Sequence, residues 1–221
     1  MKAKMIIGGA VLAASALAGT AVAGPFSANI GVTNNYIFRG VTQTDDVAAV
    51  QGGVDFEHDS GFYAGTWLSN VGSAYAAPGG KNNYEQDWYA GYGFEAGPVG
   101  LDVGFILYTY PVDSNAKFDY GEIYVNVNWQ WLSGGLAYTV TKEEGDTGDI
   151  YLHFSGDFEA SNGLGYGFTV GRYDYKGGGD YNHVRLYMSK SDFTLALDKN
   201  DLAGPLGDYR FTVAWGKSFD L

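Results

Sequence analysis

From Phe26 onward, apolar and polar residues alternate one by one, and the charges keep to one side of that alternation. In 119–129 (DYGEIYVNVNW), Ile123, Val125, Val127 and Trp129 share one face, and Glu122, Tyr124, Asn126 and Asn128 share the other. In 99–110, Val99, Leu101, Val103, Phe105 and Leu107 oppose Gly100, Asp102, Gly104, Ile106 and Tyr108. In 149–160, Ile150, Leu152, Phe154 and Phe158 oppose Asp149, Tyr151, His153, Ser155 and Asp157. A period of two is the signature of a two-faced β-strand. The pattern predicts twelve strands, at about 26–40, 47–58, 62–71, 83–96, 99–110, 119–129, 132–141, 148–160, 164–175, 180–190, 193–200 and 208–219. Segment 62–71 offers an aromatic to each face, so its phase stays open, as does the phase near Arg172.

The connections carry a second signal. Tight turns follow the even-numbered segments: His58-Asp59-Ser60-Gly61, Gly97-Pro98, Gln130-Trp131, Ser161-Asn162-Gly163 and Ser191-Asp192. Longer polar loops follow the odd ones: Val41–Asp46, Gly72–Asn82, Pro111–Phe118, Lys142–Thr147, Lys176–Gly179 and Asp201–Gly207. A meander with short turns at one end and long loops at the other is the build of an outer-membrane barrel. The expected fold is all-β: a 12-stranded antiparallel transmembrane up-and-down barrel with both termini periplasmic.

Alternation alone does not say which face looks outward, because a soluble barrel has the opposite sense. The clearest apolar faces carry no Asp, Glu, Lys or Arg within the strand body. The polar faces carry Asp55, Glu57, Glu85, Asp87, Glu95, Asp102, Glu122, Asp149, Asp157 and Asp198, with Arg39, Arg185 and Arg210. An Arg or Lys facing lipid at mid-membrane costs about 2–4 kcal/mol, so a membrane barrel must segregate charge by face. The apolar faces are bulky along their length, whereas the polar faces are rich in Gly, which suits a crowded lumen. Aromatics cluster at both strand ends: Phe56, Phe62, Phe94, Trp129, Phe158 and Phe193 near the tight turns, and Tyr36, Phe38, Tyr84, Trp88, Tyr120, Tyr175 and Tyr181 near the long loops. These predict two interfacial girdles.

Composition narrows the partners. The 221 residues include 34 Gly, 18 Tyr, 13 Phe, 5 Trp and no Cys, which excludes a disulfide scaffold, a thiolate metal site and a cysteine nucleophile. The net charge of −12 opposes nucleic-acid binding. Residues 1–23 read as a signal peptide: Lys2 and Lys4 precede an apolar run that ends in Ala21-Val22-Ala23. Cleavage is expected between Ala23 and Gly24, leaving 24–221 as the barrel domain. The apolar run is shorter than the ~20 residues that a helical span needs.

Two stretches carry a resemblance. Asn34-Asn35-Tyr36-Ile37-Phe38-Arg39-Gly40-Val41-Thr42-Gln43-Thr44 and Gly61-Phe62-Tyr63-Ala64-Gly65-Thr66-Trp67-Leu68-Ser69-Asn70, with Val50–Asp55 between them, resemble the start of the TorF family of proteobacterial porin-like proteins. The resemblance covers about 40 residues and implies an outer-membrane barrel. The end departs from the common terminal aromatic, because Asp220-Leu221 follow Phe219.

Twelve strands at ~4.8 Å spacing and ~40° tilt enclose a backbone diameter of roughly 24 Å, which side chains narrow. The expected activity is passive passage of small hydrophilic solutes across the outer membrane of a Gram-negative bacterium. The residues assigned to the lumen and its selectivity are Arg39, Asp55, Glu57, Glu85, Asp87, Asp102, Glu122, Asp157, Arg185, Asp198 and Arg210. An excess of acids over arginines favours cations. The alternative is that acids pair with arginines and stiffen the barrel, with Asp55 as a neighbour for Arg39. Other expected partners are outer-membrane lipid and the barrel-assembly machinery. No cofactor and no metal are expected. Asp45-Asp46 and Glu143–Asp146 lack EF-hand spacing and read as solvated loops. Two rival readings remain: a closed structural or adhesive barrel, and a rim-active hydrolase using His183 with Asp149, Asp174 or Asp180.

Overall fold

The computed structural model describes residues 24–73, 84–111 and 118–221. The predicted signal peptide and the tips of two long loops lie outside these residues. The wall strands in chain order are β1 (Phe26–Thr33), β4 (Ala49–Glu57), β5 (Phe62–Asn70), β6 (Tyr84–Ala96), β7 (Val99–Thr109) and β8 (Tyr120–Trp129). They continue with β9 (Leu132–Lys142), β10 (Ile150–Glu159), β11 (Gly165–Asp174), β12 (Tyr181–Lys190), β13 (Phe193–Asn200) and β14 (Arg210–Asp220). These twelve close into one barrel in sequence order, β1 pairing with both β4 and β14. The closing registers are antiparallel, with Phe26 opposite Phe56 and Ser27 opposite Asp220. Closure leaves no sheet edge unpaired, which a β-structure in lipid requires.

The faces fall as the charge pattern requires. Phe105, Ile123, Val125, Val127, Leu152, Phe154, Leu186 and Phe211 are exposed on the outside. Asp87, Asp102, Glu122, Asn126 and Asp198 are buried on the inside. The open phase in β5 resolves with Tyr63 and Trp67 inward and Phe62 and Leu68 outward. Arg172 points outward at the rim, where Asp174 (2.5 Å) and Asp180 (3.3 Å) neutralise it.

The inner face packs by laying tyrosine rings on glycines. A Cβ on Gly104 would stand 2.4 Å from the hydroxyl oxygen of Tyr124, so glycine on β7 gives the ring on β8 its bed. The glycine-rich polar face is therefore the floor beneath an aromatic lining.

Two expectations fail. The predicted first strand, 26–40, ends at Thr33. The chain then leaves the wall and forms a small hairpin, β2 (Ile37–Phe38) with β3 (Val41–Thr42), before re-entering as β4. The long-loop girdle is also smaller than predicted. Tyr36 and Tyr181 are buried inside the molecule, and Phe38 belongs to the hairpin, whereas Trp88 and Tyr175 are exposed as expected. Period and aromaticity look alike in a strand end and in a hairpin that folds inward, so the sequence did not separate them.

Candidate functional site: a hairpin latched across the lumen

The hairpin turns at Arg39 and Gly40, both with positive φ (48° and 82°). Positive φ at both central residues makes the tight two-residue turn whose twist matches paired strands. Glycine is required at position 40 because a Cβ there would lie 2.4 Å from the His183 Cβ on β12. At Arg39 a non-glycine residue holds left-handed backbone, a conformation that costs about 1–3 kcal/mol. The turn could be formed more cheaply without Arg39, so its side chain needs an account of its own.

That side chain crosses to β8. Nη1 donates to Glu122 Oε1 at 2.8 Å and Nη2 to Oε2 at 2.6 Å, a bidentate pair. The two side chains are only 3% and 1% exposed. The Tyr108 hydroxyl also donates to Glu122, at 3.4 Å. The guanidinium carbon lies 4.2 Å from the ring centroid of Tyr151, 5.2 Å from Tyr173 and 4.6 Å from Phe38. Such cation–π contacts strengthen where water is excluded.

Further bonds hold the hairpin at its sides and base. The Tyr36 hydroxyl donates to Glu85 Oε1 at 2.9 Å, and its ring meets Trp67 edge-on at 5.4 Å. The Asn200 amide donates to the Gly40 carbonyl at 2.7 Å. At the base, Asn35 accepts from Thr42 and Thr44 and donates to Asp46. Arg210 on β14 donates to Asp46 at 2.6 Å and to the carbonyls of Leu206 and Pro205. The Arg210 bond holds the Asp46 carboxyl below the usual carboxylate range, with Asn35 assisting against desolvation. Between the hairpin tip and the wall of β7–β10, a gap of about 10 Å³ remains, room for a water at most.

The assigned lumen residues sort into groups. Glu85, Asp87, Asp102 and Glu122 are buried along β6–β8. Asp102 accepts from Tyr63 (2.6 Å) and Asn126 (3.0 Å), and the Tyr63 hydroxyl also meets that of Tyr124. Asp87 is 0% exposed, and neither carboxylate oxygen has a hydrogen-bond partner among the described residues. On the far side Arg185 pairs with Asp198 at 2.9 Å. Asp55 accepts from Tyr89 and from Asn29 (3.3 Å) rather than from Arg39, which corrects the expected neighbour. Register explains this: Asp55 sits near the tight-turn end of β4, whereas the hairpin springs from its long-loop end. Glu57 and Asp157 are exposed near the same tight-turn end and join no cluster.

The hydrolase candidate is not assembled. His183 Nε2 meets the Tyr151 hydroxyl at 2.9 Å. Asp149 pairs with Lys142 (2.6 Å), and Asp174 and Asp180 pair with Arg172, so none of the three acids reaches the imidazole. Among the described residues no cluster of His, Asp and Glu is arranged to hold a metal ion. The sequence assigned no lumen role to Tyr151 and Tyr173. Tyr151 shares a face with Asp149 and His153, and that shared phase was the available signal.

A family model described as a bacterial protein of unknown function (Gcw_chp) matches residues 17–206, and the chain belongs to that family. No curated relative matches the sequence. Among solved structures the barrel is similar to the KdgM porin, with a TM-score of 0.54 and 12% identity, covering 88% of this chain and 99% of that one. It is similar also to the KdgM porin in complex with disordered oligogalacturonate (TM-score 0.52, 11% identity, 89% and 98% covered). The likeness is one of fold: a closed twelve-stranded antiparallel barrel.

Proposed function

We propose that the protein is an outer-membrane porin of a Gram-negative bacterium, giving passive passage to small hydrophilic solutes with a preference for cations. The observation that carries this reading is the inside-out barrel: apolar side chains cover the exposed exterior, and Arg39, Glu85, Asp87, Asp102, Glu122, Asp198 and Arg210 are buried inside. In this reading residues 1–23 direct export and are removed before Gly24, and the barrel-assembly machinery inserts the mature chain. The resemblance to TorF porin-like proteins in 34–70 supports the same assignment. KdgM's oligogalacturonate is a polyacid, and a lumen lined by Glu85, Asp87, Asp102 and Glu122 repels such a solute. Cargo of the opposite sign fits this lining.

The hairpin makes the resting pore narrow. A closed structural barrel is the second reading, favoured by the small gap left beside Arg39. Conductance of the folded protein in planar bilayers, with reversal potentials in a salt gradient, separates the two. Discrete steps with a cation-selective reversal potential are expected. Absence of steps from both wild type and a variant lacking the Arg39 side chain would leave the closed barrel as the answer.

A further inference from the structure

The latch has the form of a recognition site whose ligand happens to be tethered. Glu122, Tyr151 and Tyr173 belong to wall strands β8, β10 and β11, not to the hairpin. Together they offer a flat cation one bidentate carboxylate and two ring faces. Arg39 uses this site end-on. Its two terminal nitrogens make both bonds to Glu122, and its Nε has no hydrogen-bond partner among the described residues. A cation needs only the terminal amidinium edge to reproduce every polar contact. The backbone strain at Arg39 is consistent with a side chain retained for what it occupies.

Asp87, fully buried and without a hydrogen-bond partner among the described residues, shares the lining of β6–β8 with Glu85 and Glu122. Arg39 is the sole cation bonded to these three acids among the described side chains.

We propose that Arg39 is a built-in stand-in for the solute. The Glu122–Tyr151–Tyr173 pocket is a guanidinium site, and small guanidinium-bearing cations compete with Arg39 for it and thereby release the hairpin. This deepens the porin reading and rests on it for the consequence, passage, but not for the binding itself.

The test is therefore a binding measurement on the full folded barrel in detergent, with guanidinium chloride at millimolar concentration as the probe and urea as its neutral isostere. Calorimetric titration of Arg39→Ala should show guanidinium binding about tenfold or more tighter than wild type, because no tethered competitor remains. Adding Glu122→Gln to Arg39→Ala should remove that gain, and urea should not bind either protein. Arg39→Gln, a shorter polar side chain without the charge, should behave like Arg39→Ala and serves if the alanine variant misfolds. Equal guanidinium affinity in wild type and in either folded Arg39 variant overturns the proposal, as does binding that survives Glu122→Gln. Failure of the porin reading would look different: guanidinium binds the Arg39 variant, yet that variant carries no current.

Discussion

The walls of β6–β8 and of β12–β14 present similar groups to the lumen and treat them differently. On β12–β14 only the Arg185–Asp198 pair is closed within the wall, since Arg210 reaches out to the base of the hairpin. Arg185 and Asp198 face each other in register and pair, and Arg210 closes on Asp46. On β6–β8 four acids line up, and the cation that answers Glu122 comes from the hairpin. A buried ion pair contributes little net stability, but removing one partner strands the other at a cost of about 3–5 kcal/mol. The Arg185–Asp198 pair is thus complete within the wall, whereas Glu122 takes its partner from the hairpin.

That contrast is open to experiment. The largest effect is expected from Arg39→Ala, which removes the latch and leaves Glu122 unpaired. Single-channel conductance should rise severalfold over wild type, and an unchanged step size would show that the hairpin does not limit flow. Next, neutralising Glu85, Asp87 and Glu122 together should bring the cation-to-anion permeability ratio toward one. Neutralising the Arg185–Asp198 pair should leave the ratio near its wild-type value, because that pair carries no net charge. Equal shifts from both changes would erase the distinction between the walls.

A third test concerns the lining itself. Gly104→Ala places a methyl 2.4 Å from the Tyr124 hydroxyl oxygen. Overpacking of this kind costs about 1–3 kcal/mol and should lower the denaturant midpoint of the detergent-folded barrel. The smallest effect is expected from acidification. Asp46 titrates below its ordinary value in the folded protein, so its bond to Arg210 contributes at neutral pH and weakens as pH falls below about 4. Open probability should rise over that range in wild type. Asp46→Asn should show the raised level already at neutral pH.

Much of this molecule is written in its alternation. A strict period of two fixes which residues share a face, and the cost of charge in hydrocarbon fixes which face looks out. Hence Asp102, Glu122 and Asp198 are placed inside by the residue pattern alone. The same rule failed at 34–48. There the residues keep strand-like chemistry, but the chain folds into the lumen, and no local pattern marks the difference. Tyr36 looked like a girdle residue because an aromatic near a strand end is equally at home at an interface or in a plug.

The wall is therefore legible in the chain: twelve strands, alternate tight and long connections, apolar outside and charged inside. These follow from interactions between near neighbours and a uniform solvent on each face. Who answers whom across the lumen is settled at a higher level. Arg39 and Glu122 are 83 positions apart. Asp55 was as reasonable a partner for Arg39 by sequence, and the register of closure placed it at the other end of the barrel. Contact across a closed barrel depends on strand order, stagger and the path of one loop, and all three are properties of the assembled wall.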